Sequence, residues 1–101
     1  SVERALAAPL VALAADLVGV ATAALQRSVE HAKTRRQFGS LIGAFQGVKH
    51  ALADNYVSVE RARSLTYAAA TQLDTPDPWT PAALAKAAAA DAAGSCARTM
   101  V

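Results

Sequence analysis

The sequence predicts an all-α fold: an up-and-down helical bundle of three long helices. Three observations carry this expectation. Alanine supplies about a quarter of the 101 residues, and alanine is the strongest helix former. Apolar residues recur in steps of three and four, and no segment alternates in the manner of a strand. Proline clusters at residues 76–81, punctuating the chain once, between two long periodic stretches.

The first helix is expected from about Val2 to Lys33. Pro9 marks its start or a kink, because proline is tolerated without cost only in the first turn. Three heptad-spaced rows are apolar: Leu10, Leu17 and Ala24; Val11, Val18 and Leu25; and Leu6, Leu13 and Val20. A helix apolar on so many sides is buried on more than one of them. Residues 34–43 read as a connection flanked by Gly39 and Gly43.

The second helix is expected from Ala44 to Leu73. Its seam runs through Phe45, Val48, Leu52, Asn55, Val59, Ala62, Thr66, Ala69 and Leu73, the spacing of bundle packing. Asn55 and Thr66 are polar intrusions that fix register or face a polar neighbour. The third helix is expected from Pro81 onward, with Thr80 as its N-cap. The whole reads as one domain over residues 1–101, an incomplete four-helix bundle truncated before its fourth helix.

At 53% apolar and 18% charged residues, the chain is too apolar for disorder. The net charge of +2 includes no basic stripe with interleaved aromatics, so nucleic acid is not an expected partner. Glu60 and Arg63 are helical neighbours. One cysteine, Cys96, excludes an intrachain disulfide, no Cys/His cluster suggests a metal, and a cytoplasmic setting follows. Residues 5–25 are apolar enough to resemble a membrane span. Asp16 interrupts them, at roughly 2.5–3.5 kcal/mol on insertion scales, so a buried bundle helix is expected instead.

The first connection carries unusual chemistry. Arg35, Phe38, Gly39 and Gln46 gather a guanidinium, an aromatic ring and an amide around a flexible glycine. Arginine beside the N-terminus of the next helix can hold a pyrophosphate, because the guanidinium forks onto phosphate oxygens and the helix dipole assists. The same residues also suit a structural role, with Arg35 capping the first helix, Phe38 stapling the two helices and Gln46 solvated.

The stretch HAKTRRQFGSLIGAFQGVKHALAD, residues 31–54, resembles the acyl-CoA dehydrogenase family pattern R-x-x-F-G, then F/H-Q, then L-A-D. Arg35, Phe38, Gly39, Gln46 and Leu52-Ala53-Asp54 match it. Leu17-Val18-Gly19, Val59 to Arg63 and Ala85-Lys86 extend the resemblance over nearly the whole chain. It implies the C-terminal helical domain of an FAD-dependent enzyme that desaturates acyl-CoA thioesters. It further implies a homo- or hetero-oligomer in which Arg35, Phe38 and Gln46 contact the FAD of a neighbouring subunit.

Proton abstraction in that family needs a carboxylate base. For most members it lies after the fourth helix; for a minority it falls near the position of Pro9, with a substrate-binding arginine near Leu10. Neither residue here can do that chemistry, and Glu3 lies six residues too early. No catalytic residue is therefore expected within this segment, which alone is not expected to be active. The alternative is a non-catalytic helical module, such as the partner chain of a heteromeric acyl-CoA dehydrogenase. His31 replaces a common tyrosine, and His50 and Asp54 stand four apart, a spacing that allows a structural pair.

Overall fold

The computed structural model describes residues 1–37 and 42–100, with side chains described over 1–34 and 46–100. Three helices make up the described chain: α1 (Val2–Gln37), α2 (Ile42–Thr71) and α3 (Trp79–Met100). No strand occurs among the described residues. The helices run up, down and up in a rod of 57 × 16 × 15 Å, as expected when a helix of 36 residues rises about 1.5 Å per residue.

Helix α1 starts at Val2, not at Pro9, because Ser1 caps it. Ser1 Oγ accepts from the Arg4 amide at 3.2 Å, the side-chain capping bond of a helix start. Pro9 lies inside the helix on an exposed face. Ala5, whose carbonyl loses its partner there, is exposed as well, so water can satisfy it. The helix also continues past Lys33, narrowing the expected connection at both ends.

Helix α3 begins earlier than the sequence suggests, and Thr80 is not its cap. Asp77 Oδ1 accepts from the Thr80 amide at 3.1 Å, and the Ala82 amide already bonds the Pro78 carbonyl at 3.4 Å. Asp77 thus supplies the capping carboxylate, and Pro78 leads into the helix just ahead of Trp79. The hydrogen bond from Thr80 holds the Asp77 carboxyl below its ordinary range, with help from the Trp79 amide.

The core is built largely from alanine. Ala7, Ala14 and Ala21 of α1 are buried, flanked by Val11, Val18 and Leu25. Every buried residue of α3 is alanine or Cys96. Helix α1 packs most extensively on α3, and faces this small allow helix axes to approach toward the short end of the roughly 8–10 Å range of helix separations. Cys96 is fully buried, and burial pushes its thiol pKa up, as befits a packing residue.

The α2 seam behaves as its spacing predicts where it is described. Asn55, Val59, Ala62 and Ala69 are buried, and Val48, Leu52, Thr66 and Leu73 are half-buried. Thr66 Oγ1 donates back to the Ala62 carbonyl at 2.8 Å. Asn55 finds its partners on α3: Ser95 Oγ donates to its Oδ1 at 2.6 Å, and its Nδ2 donates to Thr99 Oγ1 at 2.8 Å. Thr99 in turn donates to the Ser95 carbonyl at 3.0 Å.

Of the three apolar rows on α1, the first two face inward and the third does not. Leu6, Leu13 and Val20 are 47%, 43% and 57% exposed, because two neighbours cannot cover a helix apolar on three sides. By length and composition α1 could also cross a membrane. Its buried face here packs on α2 and α3.

Two outcomes follow. Asn55→Ala takes the acceptor from the Ser95 hydroxyl and leaves Thr99 only its bond to the Ser95 carbonyl, and should cost about 1–3 kcal/mol in denaturant unfolding. Asp77 carries a depressed folded pKa, so its capping contribution is present above the usual carboxylate pKa and is lost as pH falls through the folded value. Melting temperature measured from about pH 5 downward should therefore fall more steeply in the parent than in Asp77→Asn, which caps at all pH values.

Candidate functional site

Two of the residues singled out by the sequence, Arg35 and Gln46, lie toward one end of the rod. Arg35 lies in the last turn of α1, and Gln46 lies one turn into α2. Antiparallel packing of consecutive helices brings those two turns to the same end. Gln46 is exposed and forms no hydrogen bond with another described residue. The Arg35 side chain and the whole of Phe38 lie outside the described residues.

The local electrostatics suit an anion. Lys33, Arg35 and Arg36 enrich the end of α1 in cations, which its negative dipole end favours. The first turn of α2 contains no acidic residue, so the positive end of its dipole is not neutralised locally. Lys33 is engaged by Glu30 at 3.4 Å, with both groups largely exposed. Such an exposed pair contributes little on its own.

Other candidates separate from this end. Glu3 is exposed in the first turn of α1, and Pro9 and Leu10 supply no titratable group. His31 is exposed. His50 and Asp54 are both exposed, and no ion pair joins them, so the spacing that permits a pair does not produce one. Arg61 is exposed, as a solvated helix face requires. Among the described residues no His, Cys, Asp and Glu cluster could hold a metal.

A second polar feature lies midway along the rod. Arg63 donates to Glu60 on its own helix and to Thr22 Oγ1 of α1 at 2.9 Å. The Glu60 partner follows from the spacing, but the cross-helix Thr22 does not. Thr22 is simultaneously bonded back to the Val18 carbonyl at 2.8 Å. Arg63 divides the open groove between α1 and α2 into two pockets. One, of about 210 Å³, is lined by Ala15, Val18, Thr66 and Tyr67. The other, of about 360 Å³, is lined by Leu25, Gln26, Val29 and Tyr56 among others. Sequence reasoning also missed Ser28, which is 6% exposed with an Oγ that has no partner among the described residues. Nothing in its neighbours along the chain signals that burial beyond its place in the Ala7, Ala14, Ala21 row.

The family model described as acyl-CoA dehydrogenase, C-terminal domain, matches residues 2–101. Acyl-CoA dehydrogenase IpdE2 of Mycobacterium tuberculosis is 46% identical over 84% of this chain and 26% of its own length. The short-chain specific acyl-CoA dehydrogenase of Megasphaera elsdenii is 42% identical over 82% of this chain and 22% of its own. Acyl-CoA dehydrogenase FadE12 of Mycobacterium tuberculosis is 43% identical over 78% of this chain and 21% of its own. No solved structure matches significantly. The chain thus spans about a quarter of the length of these relatives. With an all-α bundle, the R-x-x-F-G connection and a family match over nearly every residue, the chain belongs to the acyl-CoA dehydrogenase family, as its C-terminal helical domain.

Proposed function

We propose that this chain is part of an FAD-dependent acyl-CoA dehydrogenase, an oxidoreductase that forms a carbon–carbon double bond α,β to an acyl-CoA thioester. The observation that carries this reading is the family match over residues 2–101, together with relatives that are named acyl-CoA dehydrogenases and are about three to four times as long. The segment's task is to hold cofactor and subunits, not to transfer the proton. Bound FAD supplies the hydride acceptor.

Arg35 forks onto the FAD diphosphate of a neighbouring subunit, Phe38 packs beside it, and Gln46 offers an amide that both donates and accepts. Support comes from the cation-rich end of α1, the acid-free first turn of α2 and the exposed Gln46. Such a donor set fits a pyrophosphate. The base that removes the α-proton belongs to another segment of the enzyme or to a partner chain. The exposed row of Leu6, Leu13 and Val20 supports a further helix completing a four-helix bundle. The lone, buried Cys96 suits a reducing, cytoplasmic setting.

A second reading is favoured by Pro9 and Leu10, which cannot serve as base and substrate-binding group. In it the chain belongs to the non-catalytic partner of a heteromeric acyl-CoA dehydrogenase. Both readings place FAD against Arg35. Arg35→Ala in the full-length protein should weaken FAD retention about 10- to 100-fold, the loss expected for charge-assisted hydrogen bonds. Flavin absorbance per protein after exhaustive dialysis measures it. Unchanged retention overturns the cofactor assignment.

A further inference from the structure

Arg35 and Gln46 belong to the two helices that pack least extensively on each other, α1 and α2. Each leans more heavily on α3. The groove between them is open on either side of Arg63, with pockets of about 210 and 360 Å³. Apolar packing therefore specifies the alignment of α1 on α2 only loosely. Toward the core, α1 offers Ala7, Ala14 and Ala21, a row of small side chains with few knobs to resist sliding.

Among the described residues, one side-chain hydrogen bond joins α1 to α2. Arg63 Nη2 donates to Thr22 Oγ1 at 2.9 Å. Both partners are held from their own helices. Glu60 accepts from Arg63 Nη1, which fixes the plane of the guanidinium. Thr22 donates its own proton to the Val18 carbonyl at 2.8 Å, which turns its lone pairs to Arg63. The Arg63 side chain is 35% exposed and lies in a groove walled by Val18, Leu25, Val29 and Val59. A charge-assisted bond there is stronger than one on an open surface. The other long-range tie of α1, from Arg4 to the Thr75 carbonyl, lies at the end of the rod away from Arg35.

A helix carries an axial offset along its length. Arg35 lies 13 residues beyond Thr22, and Gln46 lies 17 residues before Arg63, about 20 and 25 Å at 1.5 Å per residue. Because the helices are antiparallel, both distances run toward the same end. Over such a lever a tilt of about 3° displaces either residue by about 1 Å. Binding groups need to stay within roughly 0.5 Å of their productive places.

We infer that Arg63 is a positioning residue for the cofactor site: through Thr22 it sets where α1 lies along α2, and so keeps Arg35 and Gln46 in reach of one FAD. This rests on the reading of that end of the rod as an FAD contact. Arg63 itself does not touch the cofactor. Its contribution is the alignment of two helices whose own packing leaves them room to shift.

The test uses the full-length protein with its bound flavin. Thr22→Val keeps the shape of the side chain and removes the acceptor, and Arg63→Met keeps the stem and removes the fork. Each should weaken FAD retention about 5- to 10-fold, less than Arg35→Ala does. Thr22→Ser, which keeps the hydroxyl, should retain flavin like the parent. The double variant Thr22→Val with Arg63→Met should lose no more than the worse single, because both break one bond. Leu73→Ala, in the turn at the other end of the rod and packed against the core, serves as the control. It should lower the melting temperature and leave retention unchanged. Flavin loss in Leu73→Ala equal to that in Thr22→Val overturns the inference, since retention then follows stability alone. So does additive loss in the double variant, or flavin loss accompanied by a fall in the mass found by light scattering. Parental retention in both Thr22→Val and Arg63→Met, beside a loss in Arg35→Ala, overturns the positioning role and leaves the cofactor reading standing. Unchanged retention in Arg35→Ala overturns both.

Discussion

The bundle depends on how small α3 is where it meets its neighbours. That helix buries nothing larger than a methyl or a thiol, from Ala82 to Cys96. A buried alanine removes little apolar surface, at roughly 0.8 kcal/mol per methylene-sized group. Such a face becomes cohesive only when backbones come close enough for dispersion to act between many atoms at once. The requirement propagates to α1, whose Ala7, Ala14 and Ala21 are among its most buried positions. Larger side chains are displaced to the flanks, where Val11, Val18, Leu25, Leu10 and Leu17 seal the edges.

Smooth alanine faces fix separation better than they fix register, since one alanine resembles the next. Polar contacts supply what the methyls cannot. Asn55, Ser95 and Thr99 set α2 against α3, and Arg63 with Thr22 sets α2 against α1. A slip by one turn would leave the buried amide of Asn55 without partners, which costs more than the bond itself returns. Helix α2 is thus pinned along its axis on both sides. The end of the rod that carries Arg35 and Gln46 inherits its alignment from contacts nearer the middle of α2.

Most of this architecture is legible in the sequence because steps of three and four report burial directly. The α2 seam was readable residue by residue, and the polar Asn55 within it announced a polar neighbour. Helix limits were less legible. They turned on which of two residues, Asp77 or Thr80, reached an amide, and both have capping chemistry. The third apolar row of α1 reads as a face packed against another subunit or domain, and on the described chain it is exposed, since periodicity shows which faces are apolar and not which neighbours cover them. At the candidate site the residue types and the shared end were readable. What Arg35 touches is a property of partners, and no spacing along one chain encodes it. The link from Arg63 to Thr22 was hidden for the same reason: the two are distant in sequence, and neither breaks a pattern.

The extensive packing of α1 on α3 has a kinetic side. These are the two helices farthest apart along the chain, and Arg4 reaches across that distance to donate to the Thr75 carbonyl at 3.0 Å. Local pairing of α2 with α3 needs only the short Asp77-capped turn, whereas joining α1 to α3 closes a loop through the whole of α2. Loop entropy falls due before those long-range contacts return anything. Contacts between α1 and α3 therefore come at the least loop cost once α2 has paired with either neighbour, which brings the two terminal helices within reach of each other.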